Sequence, residues 1–135
     1  VPETILRAED EGWDVDFYMA CLYNARVQNR PNERAFLKDT SQHLTFYPDD
    51  KYKMFAVIEQ VQKPFLAFKL LAGGQVFYGK RPEEYAFVVE DALREAFVHL
   101  KKTDAAVIGV FQKDTDMLAQ NARIAMRVLG ADVQK

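Results

Sequence analysis

The spacing of apolar positions divides the chain into helical and extended segments that alternate. Apolar residues recur at helical intervals in four stretches, which begin near Pro2, Asp49, Pro82 and Asp114. Three other stretches are apolar at nearly every position, which is typical of strands buried on both faces of a parallel sheet. They cover residues 15–22, 64–71 and 105–110. The predicted order is therefore α-β-α-β-α-β-α, an α/β fold.

The distances between the predicted strands indicate parallel pairing. Their first residues lie 49 and 41 positions apart, which leaves room for a helix in each connection. Right-handed βαβ units and a parallel sheet follow from such crossovers. Residues 24–48 form a long polar connection, and connections of this length are often binding loops. Gly130 predicts the end of the last helix.

The length of the chain changes this picture. It has 135 residues, whereas a complete (β/α)8 barrel needs about 250, and three parallel strands cannot close one. Because the chain starts on Val1 rather than Met and enters a helix at once, we expect residues 1–135 to be one partial domain. That domain would be the C-terminal part of a TIM-type (β/α)8 barrel and a piece of a longer chain. The alternative is a small open α/β domain with short peripheral strands that the pattern does not reveal.

Composition and charge exclude several classes of protein. Hydrophobic residues make up 49% of the chain and aromatic residues 13%, so neither disorder nor a disulfide scaffold is expected. Lys and Arg number 18 against 20 Asp and Glu, and this net charge of −2 indicates neither nucleic acid nor an anionic membrane as a partner. Cys21 is the only cysteine and no apolar run is long enough to span a membrane, so we expect a cytoplasmic protein.

The residues that follow the predicted strands are the candidates for ligand binding, because ligands bind at the carboxyl ends of parallel strands. These positions are Tyr23-Asn24, Lys69 through Gly74, and Gly109 through Lys113. Lys69 stands out because an apolar strand surrounds it. It either pairs with a carboxylate, binds an anionic ligand such as phosphate, or forms a Schiff base as in a class I aldolase.

Two glycines and a helix start indicate a phosphate site. Gly73 and Gly74 allow a ligand to approach the backbone closely, and a simple tight turn is the alternative explanation. Gln112 and Lys113 come shortly before the last helix, whose first amides attract anions. In barrels the last two βα loops commonly bind phosphate, which favours a site at these positions.

The histidines and the remaining acidic residues give weaker evidence for a functional site. His43, in the long connection, is the better placed histidine for acid–base chemistry, whereas His99 is expected at the surface. Asp49 or Asp50 is expected to cap the second helix rather than bind a cation. No cluster of His, Cys, Asp and Glu has the spacing of metal ligands, so we predict no metal site.

Three segments resemble the C-terminal half of the aldo/keto reductases. DFYMACLYN, at residues 16–24, is similar to the strand of that family that ends in Tyr-Asn. KPFLAFKLLAGG, at residues 63–74, is similar to a segment with Lys-Pro-Leu before glycine, although Leu70-Leu71 replaces Pro-Leu here. AVIGVFQKDTDMLAQN, at residues 106–121, resembles the final strand and helix, with Gln120 where the family has a glutamate.

The resemblance implies a TIM barrel that transfers hydride between NADP(H) and the carbonyl of a small-molecule substrate. The residues expected to bind the cofactor are Tyr23, Asn24, Lys69, Gly73, Gly74, Gln112, Lys113, Gln120 and Asn121. The first two would lie near the nicotinamide, the next three along the cofactor, and the last four near its phosphates and adenine. The catalytic residues of the family belong to the N-terminal half of the barrel, so none is assigned and this chain alone is expected to be inactive.

Two other functions stay open at this level. One is a TIM-barrel lyase or aldolase that uses Lys69 and holds phosphate in the last two βα loops. The other is a non-catalytic α/β module whose open sheet edges pair with another protomer. For the barrel itself, we expect an N-terminal half or another protomer to cover the edges of the sheet.

Overall fold

The structure is a computed structural model that describes residues 1–23, 30, 32–37 and 44–133, with residues 131–133 described as backbone only. Its helices are α1 Pro2–Asp10, α2 Asp50–Gln60, α3 Tyr85–His99 and α4 Met117–Val133. Its strands are β1 Tyr18–Cys21, β2 Phe65–Phe68 and β3 Ala105–Val107. The predicted α/β class and the predicted order of elements are confirmed. The candidate residues Asn24 and His43 lie outside the described residues.

The three strands form one parallel sheet in the order β1-β2-β3. The register places Tyr18 beside Phe65 and aligns Ala20, Ala67 and Ala106 across the sheet. Strands that are neighbours along the chain are therefore neighbours in space, and each connection between them contains a helix. The predicted parallel pairing of βα units is confirmed.

The helices of the described residues cover only one face of this sheet. The face that carries Tyr18 and Phe65 is buried, and the Tyr18 hydroxyl donates a hydrogen bond of 2.7 Å to Oε2 of Glu9 on α1. On the opposite face Met19 is 55% exposed and Val107 42%. The expectation that the strands are buried on both faces is therefore wrong for the described chain, because no second layer of elements packs on the open side. The apolar runs correctly predict the strands, but they do not show which face of the sheet other elements cover.

The helices pack side by side in the order in which they occur along the chain. His99 on α3 joins two of them, since its ring stacks on Phe55 of α2 with the ring centroids 4.2 Å apart. Its Nδ1 also lies 2.6 Å from Oε1 of Glu59 on α2. The expectation that His99 lies at the surface is therefore correct only in part, because packing between α2 and α3 half-buries it.

Several element ends differ from the sequence-based expectation. Strand β2 ends at Phe68 because Lys69 takes a left-handed conformation with φ of 57°, so the lysine follows the strand instead of lying within it. A 3-10 turn over Pro82–Glu84 precedes α3. Helix α4 starts at Met117 and continues through Gly130, although a glycine in a helix interior costs about 1 kcal/mol relative to alanine.

The acidic pair at the start of α2, Asp49 and Asp50, does not act as the predicted side-chain cap. Asp49 occupies the N-cap position but makes no side-chain hydrogen bond to the helix backbone. Asp50 is buried, and its Oδ1 accepts a hydrogen bond of 2.7 Å from Nη1 of Arg30. This contact with Asp50 raises the pKa of the Arg30 guanidinium. The acidic residue therefore ties the start of α2 to the preceding connection.

Candidate functional site

The loop that follows β2 has an uncommon backbone conformation. Lys69, Ala72, Gly73 and Gly74 all have positive φ values, of 57°, 48°, 62° and 88°. For a residue other than glycine such a value costs about 1–3 kcal/mol. Leu70, which is 2% exposed, anchors the loop in the core and helps to offset this cost. Strain of this kind is common at ligand sites, where the backbone must keep a defined shape.

A cavity of about 1040 Å³, which we call the cleft, lies between this loop, the start of α3 and the loop that follows β3. It opens at the carboxyl ends of β2 and β3, the sheet edge at which the candidate residues were expected. Four aromatic residues line it, Phe68, Phe77, Tyr85 and Phe111, and Phe77 packs on Tyr85 with ring centroids 4.6 Å apart. The polar residues of the wall are Lys69, Glu83, Asp114, Thr115, Gln120 and Asn121. The volume is slightly above the range of about 300–1,000 Å³ that is usual for small-molecule sites.

Asn121 is the polar residue of the cleft wall with an unsatisfied buried atom. The side chain is 3% exposed, and its Nδ2 has no hydrogen-bond partner, which is true of no other buried side-chain nitrogen or oxygen in the described part of the chain. An unpaired buried donor costs about 1–3 kcal/mol. Nδ2 itself lies within the wall with almost no exposed surface, so a ligand acceptor could remove this cost only if the side chain turned toward the cavity.

Lys69 also lines the cleft and is half-buried. Its Nζ lies 5.1 Å from the centroid of the Phe46 ring, and the negative ring face attracts an ammonium ion. Across the described ranges no carboxylate lies within ion-pair distance of this amine. Among the described residues Lys69 is thus a cation on the wall of a largely apolar cavity with no carboxylate at ion-pair distance, which suits the binding of an anionic ligand.

The structure brings together five of the nine residues expected to bind a cofactor: Lys69, Gly73, Gly74, Gln120 and Asn121 line the cleft. Tyr23 does not line it. This tyrosine is 3% exposed and packs edge-on against Phe36 and Phe46, with ring centroids 5.7 and 6.3 Å away. Burial raises the pKa of its hydroxyl well above the ordinary value. Tyr23 therefore packs behind Phe46, outside the cleft wall.

Gln112 and Lys113 lie outside the cleft wall and are exposed. The Gln112 side chain accepts a hydrogen bond of 2.9 Å from the amide of Leu118, and Oδ1 of Asp116 accepts one of 3.0 Å from the amide of Ala119. The bond from Ala119 lowers the pKa of Asp116. These two amides already have acceptors, and the carboxylate of Asp116 lies beside them. The start of α4 is therefore a weaker site for anion binding than the sequence predicts.

Sequence reasoning missed two residues that shape the cleft, Phe46 and Gln75. The Gln75 side chain bonds to the backbone at Leu44 and Phe46, and the Phe46 ring touches the loop that carries Lys69. No local signal marks either residue, because each depends on a partner far away along the chain. Their role is visible only once the end of the β1–α2 connection is seen to lie on the β2–α3 loop.

No protein-family model, curated protein or solved structure matches this chain. No group of three or more His, Cys, Asp or Glu side chains that could hold a metal ion occurs in the described ranges. None of the helices formed by these residues is both long and apolar enough to cross a membrane.

Proposed function

We propose that this chain forms the cofactor side of an aldo/keto reductase-like barrel and that NADP(H) binds in the cleft at the ends of β2 and β3. The observation that carries the proposal is the unpaired Nδ2 of Asn121, buried in the wall of a cavity that Lys69 and the two glycines also line. In the complete protein the cofactor would exchange hydride with the carbonyl of a small-molecule substrate.

The topology supports a barrel over a doubly wound sheet. A doubly wound sheet has helices on both faces and a point at which the strand order reverses. Here the strand order follows the chain, and the helices of the described ranges lie on one face. Successive parallel strands with an outer layer of helices are the arrangement of a (β/α)8 barrel. The open apolar face that includes Met19 and Val107 would then face the barrel interior.

Barrel closure needs further strands. Among the described residues, β1 and β3 each pair with β2 alone, which leaves one edge of each without a partner strand. Unpaired edges and an exposed apolar face favour association with more β-structure. We propose that another segment of the protein or another protomer supplies these strands, and the catalytic residues with them.

The cleft suits the chemical parts of a dinucleotide. The Lys69 ammonium would pair with a phosphate, and Gly73 and Gly74, both exposed, would allow the ligand to approach the backbone. The amides of Gln120 and Asn121 would bond to the polar edge of the adenine, whose ring would pack against the apolar wall. Phosphates are expected on the Lys69 side, since the carboxylates of the cleft would repel them.

Asn121→Leu tests the proposal in the full-length native protein. Leucine removes the amide but keeps a similar volume, so we expect the dissociation constant for NADPH, measured by fluorescence titration, to rise at least about tenfold, equivalent to about 1.4 kcal/mol. The same change removes the unpaired donor, so the stability of the ligand-free protein should stay equal or rise. A loss of affinity with unimpaired folding would separate a ligand role from a structural one.

Asn32→Leu is the matched control, because Asn32 is an exposed asparagine outside the cleft. Its affinity for NADPH should equal that of the wild type. The proposal fails if the wild type shows no NADPH binding at high micromolar concentrations, or if Asn121→Leu binds as tightly as the wild type.

A further inference from the structure

We propose that Phe46 is a positioning residue of the cleft, one that holds the Lys69 ammonium where it meets an anionic part of the ligand. The proposal rests on the proposed function, since it concerns the same cavity. Phe46 itself does not line the cavity, so it would act through Lys69 and Gly73.

Gln75 fixes the place of Phe46. Its Oε1 accepts hydrogen bonds from the amide of Phe46 at 2.9 Å and from the hydroxyl of Thr45 at 3.3 Å. Its Nε2 donates a bond of 2.6 Å to the carbonyl oxygen of Leu44. One side chain of the β2–α3 loop thereby binds three consecutive residues near the end of the β1–α2 connection. The amide of Phe36 donates a further bond of 3.0 Å to the carbonyl oxygen of Phe46.

The ring of Phe46 then contacts the strained loop at two places. Its face lies 5.1 Å from Nζ of Lys69, and its Cε2 would be 3.2 Å from a Cβ built on Gly73. Tyr23 packs edge-on behind it, and only 3% of Phe46 is exposed. Neighbours on several sides thus hold the ring, so it gives the flexible lysine side chain a fixed partner.

This arrangement preorganises the Lys69 ammonium for ligand binding. A free lysine side chain must lose rotamer freedom when it binds an anion, and a ring that already holds the ammonium removes part of that loss before the ligand arrives. The contact is electrostatic and needs an aromatic face. A leucine in place of Phe46 would fill much of the space but could not hold the charge.

The test compares Phe46→Leu, Phe46→Tyr and Phe36→Leu in the full-length native protein. Reductive methylation with ¹³C labels the lysines and keeps their charge, and the Lys69 signal is identified by its loss in Lys69→Arg. Phe36→Leu is the matched control, since it also removes a ring that packs on Tyr23, but that ring has no contact with Lys69. The NADPH dissociation constant is measured on unlabelled samples of each variant.

We expect the Lys69 signal of the ligand-free wild type to be shifted upfield by the ring. The shift should vanish in Phe46→Leu and persist in Phe46→Tyr and Phe36→Leu. The NADPH dissociation constant should rise about five- to tenfold in Phe46→Leu, recover in Phe46→Tyr, and change less than about twofold in Phe36→Leu.

The positioning role is overturned if the Lys69 signal of the wild type shows no upfield shift. It is also overturned if Phe46→Leu leaves that shift unchanged. Unaltered NADPH affinity in Phe46→Leu, when the wild type binds, overturns it as well. If Phe46→Leu folds poorly, Gln75→Ala replaces it in the test, because this change removes the hydrogen bond that holds the Phe46 backbone. Gln75→Ala must then reduce both the upfield shift of the Lys69 signal and the affinity for NADPH. If the wild type binds no NADPH, the proposed function fails, and the spectra of the ligand-free protein still decide whether Phe46 holds Lys69.

Discussion

Gly73 and Gly74 are adjacent in the sequence but meet different requirements. Both have positive φ, which glycine adopts without a steric penalty. A Cβ on Gly73 would lie 3.2 Å from Cε2 of Phe46, whereas a Cβ on Gly74 would have no atom within 4 Å. Backbone conformation therefore accounts for Gly74, and close packing against Phe46 is a second reason for Gly73.

We expect Gly74→Ala to lower the free energy of unfolding by about 1 kcal/mol, from backbone strain alone. Gly73→Ala should lower it by about 2 kcal/mol or more, because the well-packed Phe46 ring must also move. Urea unfolding with linear extrapolation measures both values. Equal losses in the two variants would show that the Phe46 ring yields easily, in conflict with the fixed position proposed for it.

At the scale of elements, Glu9 ties α1 to the rest of the fold. Its Oε1 accepts a hydrogen bond of 2.5 Å from the amide of Gln62, and its Oε2 accepts one of 2.7 Å from the hydroxyl of Tyr18. The bond from Gln62, and to a lesser degree that from Tyr18, lowers the pKa of Glu9. Burial, together with the carboxylate, raises the pKa of Tyr18 to about 12.

This shift predicts a pH-dependent contribution to stability. Because the pKa of Glu9 is lower in the folded state than its ordinary value of 4.5, its contribution is present above that pH and is lost as the pH falls through the folded-state value. Glu9→Gln should therefore destabilise the protein at pH 7 and do so less and less below about pH 4.5. Thermal unfolding between pH 7 and pH 3 measures the difference.

Asp10→Asn is the control for this experiment, since Asp10 is an exposed carboxylate on the same helix. It should change the unfolding temperature little across the whole range. A constant difference between Glu9→Gln and the wild type at every pH would mean that the charge of Glu9 does not stabilise the contact.

At the scale of the whole molecule, the open side of the sheet is the feature that most needs an explanation. Met19 is 55% exposed on this side, and the outer surface of α4 also exposes apolar residues, with Leu118 at 60% and Met126 at 74%. Exposed apolar surfaces of this kind mark sites that other structure covers. In the proposed barrel the remaining strands would cover this face of the sheet.

Met19→Lys tests this cover in the full-length native protein. If the barrel interior surrounds the residue, a buried unpaired charge should lower the free energy of unfolding by about 2–4 kcal/mol. Val98→Lys is the control, because Val98 is 70% exposed near the end of α3 and a surface change should have an effect within about 0.5 kcal/mol. Urea denaturation compares the two, and equally small losses would indicate that the sheet face stays open to solvent.

Local patterns were enough to predict the elements of this fold. The spacing of Met54, Phe55 and Ile58 predicts α2, and all three residues are buried as expected. The ends of the strands were harder to predict, because strand pairing and backbone conformation determine them. Strand β2 ends before Lys69, which takes a left-handed conformation, although the apolar run continues through Leu71. Local composition does not contain that information.

The sequence was sufficient for the α/β class, the order of the elements and the parallel pairing of the strands. Each of these follows from periodicity and from short-range spacing. Tertiary structure decided which sheet face is covered, that Asn121 is buried with an unpaired donor, and that Tyr23 lies behind the cleft wall. It also decided that Phe46 meets Lys69. These features depend on contacts between segments that are distant along the chain, and such contacts leave no periodic signal in the residues that make them.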